Sequence, residues 1–216
     1  MDIHTIILAG GKGTRMLSQK AKVLQVLGGR TMLNHVMTAA NKISNKISVV
    51  VGFDKEGVEE EIKKIGINAN TFLQKEQIGT ADAVKTTLKD IDKNEKILIL
   101  YGDVPLINEE TLKKLCNQES DLSILTTNLE NPTGYGRTLK DKENNVLGII
   151  EEKDADSEQK KIKEIFTGIL VAKGSVLKKY IPEINNNNSA KEFYLTDLIG
   201  IAHKNGFKIN TLSSSN

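Results

Sequence analysis

The sequence predicts an α/β protein with a mixed, mostly parallel central sheet, helices on both faces and a small β insertion. Short runs rich in Val, Ile and Leu alternate with charged segments whose apolar residues recur at helical spacing, and this alternation is typical of βαβ units. The first and fourth of these runs are apolar on both faces, as the central strands of a parallel sheet are. Because 216 residues, 38% of them hydrophobic, can form one sizeable core, we expect a single domain over residues 1–216.

The first part of the chain, residues 1–129, contains the predicted βαβ units. The predicted strands are "TIILA" (5–9), "ISVVVG" (47–52), "NTFLQ" (70–74), "KILILYGD" (96–103) and "DLSILTTNL" (121–129). Apolar residues three and four positions apart predict three helices, marked by Val58, Ile62 and Ile65, by Ala81, Val84, Leu88 and Ile91, and by Leu112, Leu115 and Cys116.

The pattern changes at about residue 130. The runs "NPTGYGRTL", "VLGIIEEKDA" and "EIFTGILVA" predict a hairpin-bearing insertion and a sheet that becomes mixed. We then expect a helix over residues 175–184, a polar loop over 185–192, a helix over 193–206 and a last strand over 208–212.

Composition argues against several classes of protein. Lys and Arg number 30 against 28 Asp and Glu, and the signs alternate along the chain, so a nucleic-acid partner finds no support. No apolar run approaches the roughly 18 residues of a membrane span, and the N-terminus lacks the pattern of a secretion signal. We therefore expect a cytoplasmic protein without a membrane partner. Cys116, the single cysteine, lies in an apolar helical pattern and is predicted to be a buried structural thiol.

The stretch "LAGGKGTRM" (8–16) is the first candidate site. Its glycines directly follow the first strand, at the carboxyl edge of the sheet where open α/β folds bind ligands; they are Gly10, Gly11 and Gly13. Met16 replaces the third glycine of a dinucleotide fingerprint, which disfavours a plain NAD-dependent oxidoreductase, and the P-loop pattern is absent as well.

Cations accompany these glycines. Lys12 and Arg15 lie within the loop and Lys22 follows seven residues after Arg15, so free backbone N–H groups and positive charge occur together. This combination favours a triphosphate-binding loop. The alternative is a tight connection between a strand and a helix, with solvated cations.

Two further strand ends carry polar residues. Asp103 ends the predicted fourth strand and precedes Val-Pro, and a single carboxylate at this edge would suit Mg²⁺ bound mainly through substrate phosphates. Gln74 ends the predicted third strand, and Gly79 and Thr80 open a helix, where an amide and nearby backbone could pair with a nucleobase. Taken singly, a turn-forming Asp and an ordinary helix N-cap remain alternatives.

Seven segments together resemble one family. In order they are "LAGGKGTRM", "KVL", "QIGTADA", "LILYGDVPLI", "NPTGYGR", "IIEEKDA" and "EFYLTD". Their order and spacing are similar to those of the sugar-1-phosphate nucleotidyltransferases, and within them to the uridylyltransferase domains that make UDP-N-acetylglucosamine. The resemblance covers essentially the whole chain.

The resemblance implies a Rossmann-like nucleotidyltransferase fold that joins UTP to N-acetylglucosamine 1-phosphate and releases pyrophosphate with Mg²⁺. Residues 1–129 would bind the nucleotide and residues 130–216 the sugar. The residues that it implies for phosphate handling are Arg15, Lys22 and the metal ligand Asp103. Those that it implies for substrate binding are Leu8, Ala9, Gly10, Gly11, Gly13, Gln74, Gly79, Thr80, Tyr101, Gly102, Gly136, Glu151, Tyr194 and Thr196.

The chain departs from the family pattern at several places. Phe166 stands where the family usually has a sugar-binding Asn, and Ala21 stands where a Pro usually precedes the lysine of "KVL". The family's second metal ligand has no counterpart before the chain ends at Asn216. Two alternatives follow: the same chemistry on another sugar 1-phosphate, or a nucleotide-sugar-binding domain with little catalysis. Without the left-handed β-helix of the bifunctional enzymes, we expect no acetyl transfer, and a monomer or weak homo-oligomer.

Overall fold

The computed structural model describes residues 2–13 and 18–214, which form a nine-stranded mixed sheet, a small two-stranded sheet and helices. The strands are β1 (Ile3–Leu8), β2 (Val26–Leu27), β3 (Arg30–Thr31), β4 (Lys46–Val51), β5 (Asn70–Leu73), β6 (Lys96–Tyr101), β7 (Leu122–Asn128), β8 (Arg137–Lys140), β9 (Val146–Ile150), β10 (Glu164–Lys173) and β11 (Ile209–Ser213). The α-helices are α1 (Met32–Asn41), α2 (Lys55–Ile65), α3 (Thr80–Lys85), α4 (Glu109–Cys116), α5 (Gly174–Tyr180) and α6 (Asp197–Lys204).

The main sheet has the order β11-β7-β10-β6-β1-β4-β5. Neighbours are parallel except β10, which runs antiparallel to both β6 and β7. The β8–β9 hairpin attaches to β10 through the pair Ile165 and Arg137. The predicted mixed sheet with a small β insertion is confirmed, and β1 and β6 are central as the two-sided apolar pattern predicted.

Helices cover both faces of the sheet. Neighbouring residues of a strand point to opposite faces, and in the central strands the residues on both faces are apolar and are buried under helices. Ile6 belongs to a buried cluster that includes residues of α3, α5 and α6. Its neighbour Ile7 belongs to a second cluster with residues of α1, α2 and α4. The central strands β1 and β6 are therefore mostly apolar on both sides, and the turns that follow them are where polar groups can meet a ligand.

Some boundaries differ from the sequence prediction. The helix marked by Ala81 to Ile91 ends at Lys85 and continues as turns, and the helix predicted from residue 193 begins only at Asp197. The helix predicted over 175–184 is divided into α5 and a 3-10 turn, Ile181–Glu183, that contains Pro182. A tertiary contact explains the late start of α6, because the backbone of residues 193–195 pairs with residues 78–81 instead.

Helix α1 and the β2–β3 hairpin were not predicted. Thr31 caps α1 by accepting a hydrogen bond from the Asn34 N–H at 3.1 Å. The buried residues Leu33, Val36 and Ala40 follow at helical spacing. Both signals are present in the sequence. None of the helices within the described ranges is long and apolar enough to cross a membrane.

Candidate functional site

A cavity of about 660 Å³ opens at the carboxyl edge of the sheet. Eleven residues that the sequence singled out line it, namely Leu8, Gly10, Gly11, Lys12, Gly13, Lys22, Gln74, Gly79, Thr80, Tyr101 and Asp103. They come from the ends of β1 and β6, from the turns that follow β1, β5 and β6, from the 3-10 turn Lys22–Leu24 and from the start of α3. Parallel strands place these turns side by side, which is why residues distant in sequence share one cavity.

The glycine loop is shaped by close backbone contacts. A Cβ at Gly10 would lie 3.1 Å from Gln74 Oε1, and a Cβ at Gly13, where φ is +64°, would lie 2.7 Å from Lys22 Cβ. At Gly11, by contrast, a Cβ would meet no atom of the described residues within 4 Å. Gly13 is therefore required by conformation and packing and Gly10 is tightly packed, whereas Gly11 leaves space toward the cavity among the described residues.

Two oppositely charged residues face each other in this cavity. Lys22 Nζ donates a hydrogen bond to Asp103 Oδ2 at 2.5 Å, and both side chains are partly exposed. Lys12 also lines the cavity, with Nζ 5.3 Å from the centroid of the Phe53 ring. The predicted phosphate-binding residue Arg15 lies outside the described residues, as does Met16.

The residues around Asp103 fit a substrate-bound Mg²⁺ better than a resident one. No group of three or more His, Cys, Asp or Glu within residues 2–13 and 18–214 is arranged to hold a metal. Mg²⁺ prefers six oxygen ligands and is commonly held by one or two carboxylates together with phosphates and water. Asp103 can supply one such oxygen if Lys22 moves aside, and nucleotide phosphates would supply others.

The amide of Gln74 is buried at the base of the cavity. Its Nε2 donates to the Gly79 carbonyl at 2.9 Å and to Asp82 Oδ2 at 3.0 Å. These bonds join the end of β5 to the start of α3. Gln74 is thus held in one orientation, and its predicted pairing with uracil stays a prediction.

Gly79 connects two distant segments. It has φ of +138°, and a Cβ there would lie 2.3 Å from the Phe193 carbonyl oxygen. The N–H of Ala81 donates to that same carbonyl, and the N–H of Leu195 donates to Thr80 Oγ1, both at 2.9 Å. The segment that carries Tyr194 and Thr196 is therefore packed directly on the start of α3.

A second group of predicted residues lies together beyond this contact. Thr196 Oγ1 donates to Glu151 Oε1 at 2.9 Å, and a Cβ at Gly136 would lie 3.4 Å from Glu151 Oε2. Burial is the main reason that the pKa of Glu151 is raised, and Asp154 and Glu192 add to it. We call Gly136, Glu151 and Thr196 the carboxylate cluster. It is the group expected to contact the sugar.

Aromatic hydroxyls lie near this cluster. Tyr101, at the end of β6, shares a hydrogen bond with Thr80, and burial raises its pKa well above the ordinary value. Gly168 of β10 has φ of +89°, and a Cβ there would lie 2.5 Å from the Tyr101 ring. Burial, followed by nearby carboxylates, raises the pKa of Tyr194 to about 12. Both tyrosines stay protonated near neutral pH and are able to donate hydrogen bonds.

Two predicted substrate contacts lie beneath the cavity lining. Ala9 is buried, and its N–H donates to the Val50 carbonyl at 2.9 Å. The N–H of Gly102 donates to the Leu8 carbonyl at 2.9 Å, and a Cβ there would lie 2.9 Å from Val23 Cγ1. Their contacts in the structure hold the ends of β1 and β6 in place.

Phe166 and Cys116 are core residues. Phe166 is 6% exposed and packs in the cluster shared by α3, α5 and α6, while its N–H donates to the Gly136 carbonyl at 3.0 Å. This burial supports the interpretation that the ring is packed away from the sugar. Cys116 is 1% exposed, and burial raises the pKa of its thiol to about 11, which confirms a structural role.

The structure adds lining residues that the sequence prediction did not select. They are Val23, Gln77, Ala83 and Glu192. Gln77 belongs to the same "QKEQIGT" run as Gln74, and its Nε2 donates to the Gln74 carbonyl at 3.1 Å. Glu192 lies in a polar loop, and only the pairing of residues 193–195 with 78–81 brings it to the cavity.

Comparison with known proteins agrees with this geometry. Residues 5–158 match the MobA-like NTP transferase domain. The chain is 43% identical over 217 residues to the bifunctional protein GlmU of Ruthia magnifica subsp. Calyptogena magnifica, an alignment that covers all of this chain and 47% of that protein. The chain therefore spans about half the length of this curated relative.

Two solved structures share the fold. One, assigned as a glucose-1-phosphate thymidylyltransferase from Bacillus anthracis in complex with sucrose, superposes with a TM-score of 0.80 at 20% identity, covering 99% of this chain and 87% of that one. The other, a UDP-glucose pyrophosphorylase complexed with UDP-glucose, also has a TM-score of 0.80, at 15% identity over 100% of this chain and 92% of that one. The Rossmann-like nucleotidyltransferase fold implied by the sequence is thus confirmed.

The cavity, the order of the motifs and the match over residues 5–158 lead to one classification. This chain belongs to the MobA-like NTP transferase family and is similar over its full length to the N-terminal region of GlmU.

Proposed function

We propose that this chain is a uridylyltransferase that makes UDP-N-acetylglucosamine and pyrophosphate from UTP and N-acetylglucosamine 1-phosphate. The observation that carries the proposal is the meeting of Gly11, Lys22 and Asp103 in one cavity, beside the carboxylate cluster. The full-length similarity to GlmU supports the choice of nucleotide and sugar.

The reaction needs no general base. A phosphate monoester has a second pKa of about 6, so the sugar phosphate is largely a dianion near neutral pH. One of its oxygens would attack the α-phosphorus of UTP in line with the bond to the bridging oxygen. That bond breaks as the new one forms, and pyrophosphate leaves with the electron pair.

The residues of the cavity would position the substrates and balance charge. The open backbone at Gly11 allows a phosphate to approach, while Lys22 and Lys12 supply positive charge. Asp103 would hold Mg²⁺, which when bound would offset the charge of the triphosphate. Removing one electrostatic group of this kind typically costs about a hundred- to a thousand-fold in rate.

The carboxylate cluster would orient the sugar. Glu151 and Thr196 form a fixed acceptor–donor pair, and Tyr194 adds a hydroxyl on the same side. Sugar hydroxyls are both donors and acceptors, so a buried carboxylate held by a threonine is a suitable partner.

A second candidate is the same reaction on another sugar 1-phosphate. Phe166 offers no amide to an N-acetyl group. The two solved structures of the same fold are a glucose-1-phosphate thymidylyltransferase and a UDP-glucose pyrophosphorylase, whose names refer to glucose without an N-acetyl group. Since such low identity shows the fold alone, this candidate depends mainly on Phe166.

Pyrophosphate release tests the proposal directly. UTP and N-acetylglucosamine 1-phosphate with Mg²⁺ should release pyrophosphate, and glucose 1-phosphate or galactose 1-phosphate should react more slowly. A clear preference for another sugar would select the second candidate. No release with any pair, despite UTP binding measured by calorimetry, would reject transfer and leave a binding domain.

A further inference from the structure

We propose that Asp54 is a positioning residue that holds the segment carrying Lys22 at the cavity. The inference rests on the proposed function, because the position of Lys22 matters for activity only if its ammonium group meets nucleotide phosphates. Asp54 does not line the cavity and acts through its neighbours.

The contact itself joins two separate parts of the chain. Asp54 Oδ2 accepts a hydrogen bond from the Ala21 N–H at 3.0 Å. Ala21 is fully buried, so its N–H has no access to water and would lose a partner if the carboxylate were removed. Lys22 follows directly and begins the 3-10 turn Lys22–Leu24. The hydrogen bond therefore fixes the backbone at the base of the Lys22 side chain.

Asp54 makes this bond at a cost to its own helix. It occupies the N-cap of α2, where an aspartate ordinarily accepts a hydrogen bond from a helix N–H, yet it makes no such cap bond. Its backbone is left-handed, with φ of 54° and ψ of 42°. Two locally unfavourable features at one residue are typical of positions kept for function, and the bond to Ala21 is the compensating contact.

Gly57 makes room for the carboxylate. A Cβ at Gly57 would lie 2.5 Å from Asp54 Oδ1 and 2.9 Å from its Cγ. The carboxylate is thus packed against bare backbone in the first turn of α2. This packing limits its movement and makes it a rigid acceptor for the Ala21 N–H.

The same turn also holds the glycine loop. The N–H of Phe53 donates to the Gly10 carbonyl at 3.0 Å, and a Cβ at Gly52 would lie 2.7 Å from that oxygen. Residues 52–54 therefore contact both segments that would meet the triphosphate. Since Lys22 also packs against Gly13, a shift at Asp54 would move the lysine relative to the loop.

The conformation of Ala21 suggests a substitution that can replace the contact. Its φ of −52° and ψ of 142° lie close to the values that proline favours. A proline would stiffen this position and has no N–H that needs an acceptor. The Ala21→Pro change should therefore remove the need for the Asp54 carboxylate.

Three variants test the inference: Asp54→Gly, Asp54→Asn and the double variant Asp54→Gly/Ala21→Pro. The proline is introduced only together with Asp54→Gly, because its ring Cδ would replace the amide hydrogen that points at Asp54 Oδ2, 3.0 Å from the nitrogen. Glycine tolerates the left-handed backbone and removes only the acceptor, whereas asparagine tolerates it and keeps an acceptor. Glu56→Ala is the matched control, because Glu56 is an exposed acidic residue in the first turn of the same helix.

We expect Asp54→Gly to lower kcat/KM for UTP by about tenfold or more, since small displacements of a positioned group can cost up to about a hundredfold. Amide exchange over residues 20–25 of the ligand-free protein should become faster. Asp54→Asn and Glu56→Ala should behave like the native chain. The double variant should regain most of the lost kcat/KM, which a general loss of stability would not allow.

Unchanged amide exchange and unchanged kinetics in Asp54→Gly would overturn the inference. So would a loss that Ala21→Pro fails to restore and that follows a fall in melting temperature. Failure of the proposed function looks different, because the native chain would then release no pyrophosphate. In that event amide exchange and UTP affinity of the same variants would still decide whether Asp54 positions Lys22.

Discussion

The two halves of the candidate site are built in different ways. The nucleotide side, defined by Gly10, Gly11, Lys22 and Asp103, is made mainly of turns that directly follow parallel strands. The carboxylate cluster instead gathers side chains from the β8–β9 hairpin and from the loop before α6. The first is positioned by the sheet itself, and the second by hydrogen bonds between side chains. Substitutions in the carboxylate cluster should therefore disturb mainly local hydrogen bonds, whereas substitutions on the nucleotide side act on turns that the sheet holds in place.

Removal of the Asp103 carboxylate should have the largest effect. We expect Asp103→Ala to reduce pyrophosphate release by about a hundred- to a thousandfold, because under the proposed function the variant loses the carboxylate that would hold Mg²⁺ in the cavity. The melting temperature should change little, since Asp103 is partly exposed. Mn²⁺ binding in the presence of UTP, followed by electron paramagnetic resonance, checks the metal role.

Two controls complete this test. Asp2→Asn changes an exposed aspartate next to the opposite end of β1 and should leave turnover intact. Lys22→Ala should weaken turnover but increase Mn²⁺ binding to the nucleotide-free protein, because the competing ion pair with Asp103 is lost. If Asp103→Ala retained full activity, the metal would have to bind elsewhere.

Phe166→Asn tests whether position 166, next to the carboxylate cluster, faces the sugar. Because Phe166 is buried in the core, we expect a loss of about 3–5 kcal/mol in the free energy of unfolding and no better use of N-acetylglucosamine 1-phosphate. Chemical denaturation and pyrophosphate release measure the two effects. Phe166→Leu is the matched control and should cost less. Improved use of the N-acetylated sugar by Phe166→Asn would show that this position faces the substrate.

A pair of glycine substitutions separates conformation from ligand approach. In Gly79→Ala, the Cβ would meet the Phe193 carbonyl at 2.3 Å in a conformation with φ of +138°, so about 1–3 kcal/mol of stability should be lost. In Gly11→Ala, the Cβ meets no atom of residues 2–13 and 18–214 within 4 Å, so stability should be unchanged while UTP affinity falls. Thermal unfolding and calorimetry distinguish them. Equal stability losses in both variants would contradict the packing argument.

The smallest effect concerns Asp197 at the start of α6. Burial, then the nearby Glu151 and Asp154, raises its pKa to about 6 from an ordinary value of 3.8. The folded state thus binds this proton more tightly than the unfolded state, so the contribution of Asp197 to stability is fully present below about pH 4 and is lost as pH rises to about 6.

Asp197→Asn should therefore stabilise the protein at pH 7. Solvent screening at this partly exposed carboxyl limits the gain to about 1 kcal/mol. Unfolding curves at several pH values should show a flatter dependence between pH 4 and 6 than in the native chain. A variant that was less stable than the native chain at pH 7 would show that the carboxylate makes a net favourable contact.

Much of the fold follows from sequence because its pattern is local. The strands of the first part alternate with helices whose apolar spacing is visible in the chain, and β1 and β6 could be recognised as central. The position of β10 could not, because an antiparallel strand between β6 and β7 depends on pairing across a long separation. Helix α1 carries clear signals at Thr31 and Leu33 that the strand-centred interpretation overlooked.

Some residues of the candidate site could also be selected from the sequence, and others could not. Gly13 and Asp103 could be selected because each comes shortly after a strand, and Lys22 because it is a cation near the glycine loop, and the structure brings the three together. Glu192 could not be selected, because its place depends on a backbone pairing between residues 78–81 and 193–195. Family resemblance, not spacing, pointed to Glu151 and Thr196, whose hydrogen bond exists only in the folded chain.

The burial of Cys116 has a practical consequence for studying these variants. The chain contains one cysteine, and its thiol lies in the core on the α4 side with a pKa raised to about 11. A thiol reagent can modify it only when this part of the core opens. The rate at which Cys116 is modified therefore reports how often this part of the core opens in native buffer. UTP should lower that rate in the native chain, since a ligand that binds only the closed state reduces the population of the open state.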